Sequence, residues 1–210
     1  MTMPLRLAVL ATGLVLFAVL HSLLAAPAVR TRLARLLGAH RYRLAYNLFA
    51  IGSLALPFVL TRGPFPTVWE ATGGLAVMLR LLQGAAVVLF LVALRPVDLG
   101  HFTGLRQLRG HQQERGGLQS GGAYALCRHP LYLAVCVFVT AAPRMDARGL
   151  VVALWLWAYA YLGAWVEERK LHAQFAGAYR RYCATTPRLV PRLPRRRRAV
   201  APMPRRKETR

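Results

Sequence analysis

Five long apolar stretches leave this chain few ways to fold. They cover residues 5–26 (LRLAVLATGLVLFAVLHSLLAA), 44–60, 75–94, 131–142 and 150–166. A helix rises 1.5 Å per residue and a bilayer's hydrocarbon core is ~30 Å thick, so about 20 apolar residues cross it. Stretches one, two, three and five approach that length. The fourth reaches only ~18–20 Å as a helix, short of a crossing. Pro130 fits the first turn of that short helix and Pro143 fits just past its end. The PRMDARG segment then turns the chain into the fifth stretch. The expectation is an all-α integral membrane protein with about five transmembrane helices, the fourth and fifth forming a helical hairpin. The first stretch is too long for a signal peptide and lacks a small-residue cleavage pattern, which reads as a retained helix.

Charge orients the spans. The chain of 210 residues is 56% hydrophobic, yet it carries 29 Lys and Arg against 7 Asp and Glu, for a net charge of +22. The cations gather between spans instead of covering one face, which argues against a specific nucleic-acid surface. VRTRLARLLGAHRYR, between spans one and two, is strongly basic, as are residues 95–129 and the tail PRLPRRRRAVAPMPRRKETR. TRGPFPTVWEATGG, between spans two and three, holds one arginine and one acid. The positive-inside rule then puts the N-terminus outside, the C-terminus in the cytoplasm, and the whole in an inner membrane as a multi-pass protein. Residues 1–191 form the membrane domain, and residues 192–210 are expected to be a disordered basic tail that meets anionic lipid headgroups.

On this arrangement the chemistry-bearing side chains meet at one face. ALCRHPLYLA (residues 125–134) puts Arg128, His129 and Pro130 at the mouth of the fourth stretch, with Tyr132 in its first turn and Tyr124 upstream. A helix start offers free N–H groups and a positive dipole, which favour an anionic ligand group. Glu167 and Glu168 directly follow the fifth stretch. Neighbours on a helix diverge by ~100°, so they are not expected to face one partner; one should turn into the bundle and the other outward. The bland reading is a stop signal in which Glu168 pairs with an arginine. His21, inside span one, reads as an interhelical hydrogen-bonding residue. His101 has Asp98 three residues before it and is a candidate base. Three scattered cysteines and no close His spacing give no metal signature. No GxGxxG after a strand and no P-loop occurs.

YALCRHPLY (124–132) and EERKLHAQFAGAYRRYCATTPRLVP (167–191) together resemble a known pattern: Tyr, RHP-x-Y, an apolar hairpin, a Glu pair and F-G-x-x-Y-x-x-Y before a proline-containing end. That pattern is similar to the membrane-embedded methyltransferases, which include isoprenylcysteine carboxyl methyltransferase and bacterial phospholipid N-methyltransferases. HSLLA in span one, RYRLAYN opening span two, DLGHFTGLRQL after span three and Pro143-x-Met145 look like the bacterial methanethiol S-methyltransferase and NnrU-type branch. Two departures stand out. The glycine after Phe175 is Ala176 here, and GGLQ stands where the isoprenylcysteine enzymes have a histidine-leucine stretch.

The resemblance implies a cytoplasmic site for S-adenosylmethionine. Its cofactor-binding residues would be Tyr124, Arg128, His129, Pro130, Tyr132, Glu167 and Glu168, with His129, Glu168 and His101 as candidate bases. The methyl acceptor it implies is a small hydrophobic thiol such as methanethiol, giving dimethyl sulfide. The alternatives are a lipid-like or isoprenylated acceptor, or a non-enzymatic membrane protein linked to nitrogen-oxide metabolism.

Overall fold

The computed structural model describes residues 1–97 and 117–191, and within them every side chain except those of residues 39 and 40. In chain order the elements are α1 (Met3–Ala25), α2 (Pro27–Leu37), α3 (Ala39–Leu60), β1 (Thr67–Glu70), α4 (Gly73–Leu94), α5 (Ala123–Leu126), α6 (Pro130–Thr140), β2 (Arg144–Asp146) and α7 (Ala147–Thr185). The long helices form a layer in the order α3, α1, α7, α6, α4, set by the pairs that pack together. Gly13 lets α1 and α3 approach closely, since a Cβ there would lie 2.6 Å from the Pro57 Cβ.

Four helices, α1, α3, α4 and α7, are long and apolar enough to cross a membrane. Their outward faces are bare hydrocarbon: Leu81 is 70% exposed and Ile51 68%. Water would not tolerate so much apolar surface, and lipid does. The chain is therefore a multi-pass α-helical membrane protein.

The structure corrects the expected layout in four places. Among the described residues four helices have spanning length where about five were expected, because α6, read as short, is an 11-residue helix. The fold is not all helix: β1 and β2 pair antiparallel, Thr67 opposite Asp146 and Glu70 opposite Arg144. Backbone bonds from Ala71 N to Pro143 O and from Ala147 N to Pro66 O extend this ladder. After the short α6 the chain thus continues in extended form, which gains about 3.3 Å per residue against 1.5 Å in a helix, with its backbone groups paired. Third, the basic linker after span one is itself a helix, α2. Fourth, the helix that carries the fifth apolar stretch outlasts it, α7 running on to Thr185. Residues 147–166 are its apolar part, ~30 Å long, so residues 167–185 project beyond the hydrocarbon.

His21 behaves as read from the sequence. Its Nε2 lies 2.9 Å from the Tyr46 hydroxyl of α3.

Candidate functional site

Three segments converge at the end of the bundle where α4 stops and α6 begins. The first is the turn from α5 into α6, Cys127-Arg128-His129-Pro130. Pro130 suits the first helical turn, where a missing N–H costs nothing. The second is α7 just past its apolar part. The third is the coil after α7, Thr186–Val190, which crosses the first: Arg128 N donates to Pro187 O at 2.9 Å and His129 N to Arg188 O at 3.1 Å.

Glu168 lies at the centre, 5% exposed. Arg128 reaches its Oε1 with Nε at 2.8 Å and with NH2 at 2.7 Å. Arg188 reaches its Oε2 with Nε at 3.0 Å and with NH2 at 2.7 Å. Burial on its own would raise the Glu168 pKa, but the hydrogen bonds from Arg188 and Arg128 outweigh it and hold the carboxyl below its ordinary value of 4.5. The Glu168 hydrogen bond in turn raises the Arg188 pKa. Arg188 also lies over the Tyr161 ring, 5.3 Å from its centroid. The remaining NH1 of Arg128 donates to the carbonyls of Thr186 and Cys183. A guanidinium has five N–H donors, and these contacts use four of them.

Glu167 turns the other way, its side chain 49% exposed, yet His129 lies within reach of both acids. Its Nδ1 is 3.6 Å from Glu167 Oε2 and its Nε2 is 3.4 Å from Glu168 Oε1, without the alignment of a hydrogen bond at Nε2. The two carboxylates diverge as a helix requires and still flank one imidazole, because that ring sits at the edge of α7 and not over its face. Tyr132 stacks on His129 at 5.5 Å and donates its hydroxyl to Glu167 Oε2 at 3.2 Å. The ring lies against Gly163, where a Cβ would come within 3.8 Å of its hydroxyl.

A cleft of about 230 Å³ opens beside this cluster, lined by Tyr124, Arg128, Glu167, Phe175, Tyr179 and Tyr182, with Gln119 at its rim. Tyr182 closes one wall by donating to Tyr124 O, and Tyr124 donates to Ala93 O at 3.3 Å. Burial pushes the Tyr182 phenol up to about 12 and the Cys127 thiol up to about 11. Cys127 therefore stays a protonated, inert thiol at neutral pH.

Of the residues expected from sequence, Arg128, His129, Pro130, Tyr132, Glu167 and Glu168 come together, and Tyr124 joins them across the cleft. His101 and Asp98, and the tail 192–210, lie outside the described residues. Among the described residues no group of three or more His, Cys, Asp or Glu converges as a metal site would need. Sequence reasoning missed Arg188. It stands in a coil, where no periodicity points to a partner, and the proline pair in TPRLVP was its one signal. Ala176 is the second surprise. At the position where the related pattern has glycine, this residue has φ 41° and ψ −112°, breaking α7 between two helical pieces.

The family model described as NnrU protein matches residues 9–199 of the chain. Methanethiol S-methyltransferase 2 of Bradyrhizobium diazoefficiens is 34% identical over 188 residues, which is 87% of this chain and 72% of that protein. Methanethiol S-methyltransferase 1 of the same organism is 34% identical over 182 residues, 84% of this chain and 64% of that protein. A methanethiol S-methyltransferase of Pseudomonas sp. strain GM41(2012) is 31% identical over 200 residues, covering 91% and 75% respectively. No solved structure matches the chain.

Proposed function

The chain belongs to the NnrU family, and from that premise we propose that it is a membrane S-methyltransferase that uses S-adenosylmethionine to methylate a small thiol, converting methanethiol to dimethyl sulfide. Its relatives are named methanethiol S-methyltransferases, which supports the reaction. The observation in this chain that carries the reading is Glu167, which lines an aromatic cleft and has the buried His129, itself flanked by Glu168, directly behind it.

The cleft's donor set fits S-adenosylmethionine. Glu167 is a half-exposed acid on its wall and suits an ammonium or sulfonium charge. Tyr124, Phe175 and Tyr182 offer ring surface to a nucleoside, and Gln119 an amide. Arg128, expected among the cofactor-binding residues, has one N–H left for a ligand carboxylate. Pro130 brings no N–H to the start of α6, and the His129 N–H is already donated to Arg188 O. Glu168 is thus fully engaged by Arg128 and Arg188, and Glu167 is the acid that addresses a ligand.

When bound, S-adenosylmethionine supplies an electrophilic methyl group on a sulfonium. The chain's own part is to exclude water, to align the thiol, and to take the thiol's proton as the new S–C bond forms. The His129–Glu167 pair takes that proton, and the exposed Glu167 carboxylate returns it to water. Clamped Glu168, held in its ionised form by two arginines, is the poorer base. In this reading α6 and α7 form a hairpin whose open end faces the cytoplasm, with the N-terminus outside and the C-terminus inside a bacterial inner membrane. Residues 1–191 are the catalytic membrane domain, and the basic tail rests on anionic headgroups.

The test is direct. Membranes containing the protein are given methanethiol and methyl-labelled S-adenosylmethionine, and labelled dimethyl sulfide is expected in the headspace. Label in the lipid phase would move the assignment to a lipid-like acceptor. No labelled product from folded protein would overturn the enzymatic reading.

A further inference from the structure

The segment between the first two spanning helices takes no part in the site. α2 is an 11-residue helix, PAVRTRLARLL, that begins at Pro27 directly after α1 ends. At about 16 Å it is too short to cross a bilayer. Pro27 and the extended Ala26 turn the chain out of the α1 direction, and α2 then packs against α3 and the end of α1.

Its residues sort by helical position. Val29, Leu33, Leu36 and Leu37 recur at intervals of three and four and share one face. Val29 and Leu33 are half-buried, but Leu36 is 80% exposed and Leu37 46%, so among the described residues nothing covers half of that apolar face. Arg30 and Arg32 flank the face, Arg35 lies opposite, and all three are exposed.

Charge is what makes α2 unusual. The first acid in the chain is Glu70, so nothing nearby in sequence offsets these cations. Among the described residues the ion pairs involve Arg128, His129, Arg144, Arg148 and Arg188, and none reaches α2. Arg35 makes one long bond, to its own helix at Thr31 O, 3.4 Å. Three guanidiniums with no carboxylate partner among the described residues, on a helix with a half-uncovered leucine face beside a bilayer-length helix, complement a surface that is anionic outside and apolar just beneath. That is the headgroup boundary of a negatively charged leaflet.

We propose that α2 is an interfacial anchor that lies along one leaflet, seats Leu36 and Leu37 at the acyl boundary and binds the phosphates of anionic phospholipids through the flanking Arg30 and Arg32, with Arg35 adding its charge from the far side. The anchor does not depend on the methyltransferase reading. It also differs from the expected contact of the C-terminal tail, because it is built into the fold.

The experiment uses the full-length chain, so that the tail is constant in every arm. Wild type, the glutamine triple R30Q/R32Q/R35Q and the lysine triple R30K/R32K/R35K are reconstituted in nanodiscs of phosphatidylcholine with phosphatidylglycerol. Phosphatidylglycerol retained by each is counted by native mass spectrometry. A surface arginine contributes about fivefold to anionic-lipid affinity, on the order of a hundredfold for three. The glutamine triple should retain fewer phosphatidylglycerols than wild type, the tail's share remaining, and the lysine triple should keep the wild-type number. A nitroxide on Leu36→Cys gives a second, charge-independent readout, expected to be accessible to oxygen and shielded from a water-soluble relaxant. Equal enrichment in wild type and the glutamine triple, loss in the lysine triple as well, or a nitroxide fully exposed to water would each overturn the proposal.

Discussion

The two ends of the helix bundle hold their arginines in opposite ways. At the end where α1 starts, Arg6 reaches across to the chain leaving α3, donating to the carbonyls of Thr61 at 2.9 Å, Arg62 at 2.8 Å and Pro64 at 3.0 Å. It also covers Phe65 at 4.2 Å, with Arg148 at 5.3 Å from the same ring. No buried acid takes part there. The Asp146 side chain caps α7 by accepting from Gly149 N at 2.7 Å, and Trp69 donates to Ala142 O at 3.2 Å. At the other end Arg128 and Arg188 share a carboxylate that is almost wholly withdrawn from water. Backbone carbonyls are an inexpensive partner for a cation at a membrane surface. A buried carboxylate between two guanidiniums is costly to desolvate and stabilises little over an apolar replacement. One end is therefore built as a fastening, and the other carries a charge arrangement that stability alone does not explain.

Breaking the buried cluster should have the largest effect. Glu168→Gln leaves two arginines facing each other with one neutral partner, and a loss of about 3–5 kcal/mol is expected in denaturant or thermal unfolding. Arg6→Ala, at the other end, removes three charge-assisted bonds to carbonyls and should cost about 1–3 kcal/mol. If Arg6→Ala proved the more damaging, the contrast between the ends would be reversed.

Acid should find the same difference. The Glu168 carboxyl is held below 4.5 in the fold, so its stabilisation is complete above that pH. It is lost as pH falls through the depressed native value. A pH titration of unfolding should show stability falling as pH drops below 4.5, and Glu168→Gln should flatten that part of the profile.

Ala176→Gly acts in the opposite direction. At φ 41° an alanine is strained where glycine is not, so the substitution should stabilise by about 1 kcal/mol. Smallest is Arg144→Gln. Its contact with Glu70 is 4.0 Å long between side chains 69% and 58% exposed, and the change in melting should be near zero.

Much of the Glu168 end was legible before the fold was. The apolar runs announced the spans, and the RHP and Glu-Glu groups met as the orientation required. What escaped has physical causes. β1 and β2 are four and three residues long, too short to show alternation, and they pair segments more than seventy residues apart. α6 reads as a deficient span because the chain completes its path in extended form, which hydropathy does not distinguish from a turn. The clamping of Glu168 by a second arginine depends on a coil folding back across the start of α6, and no local pattern encodes that. The substitution of the usual glycine by Ala176 was visible, but its backbone cost was not.

The measurement that bears most directly on the cleft is equilibrium binding of labelled S-adenosylmethionine to purified wild type, Glu167→Gln and Arg144→Gln. Glu167→Gln should weaken binding about tenfold or more, as expected for a lost charge-assisted contact. Arg144→Gln, at the fastening end, should bind as wild type does. Equal affinity in all three proteins, with each one folded, would contradict a ligand site at the Glu167 wall.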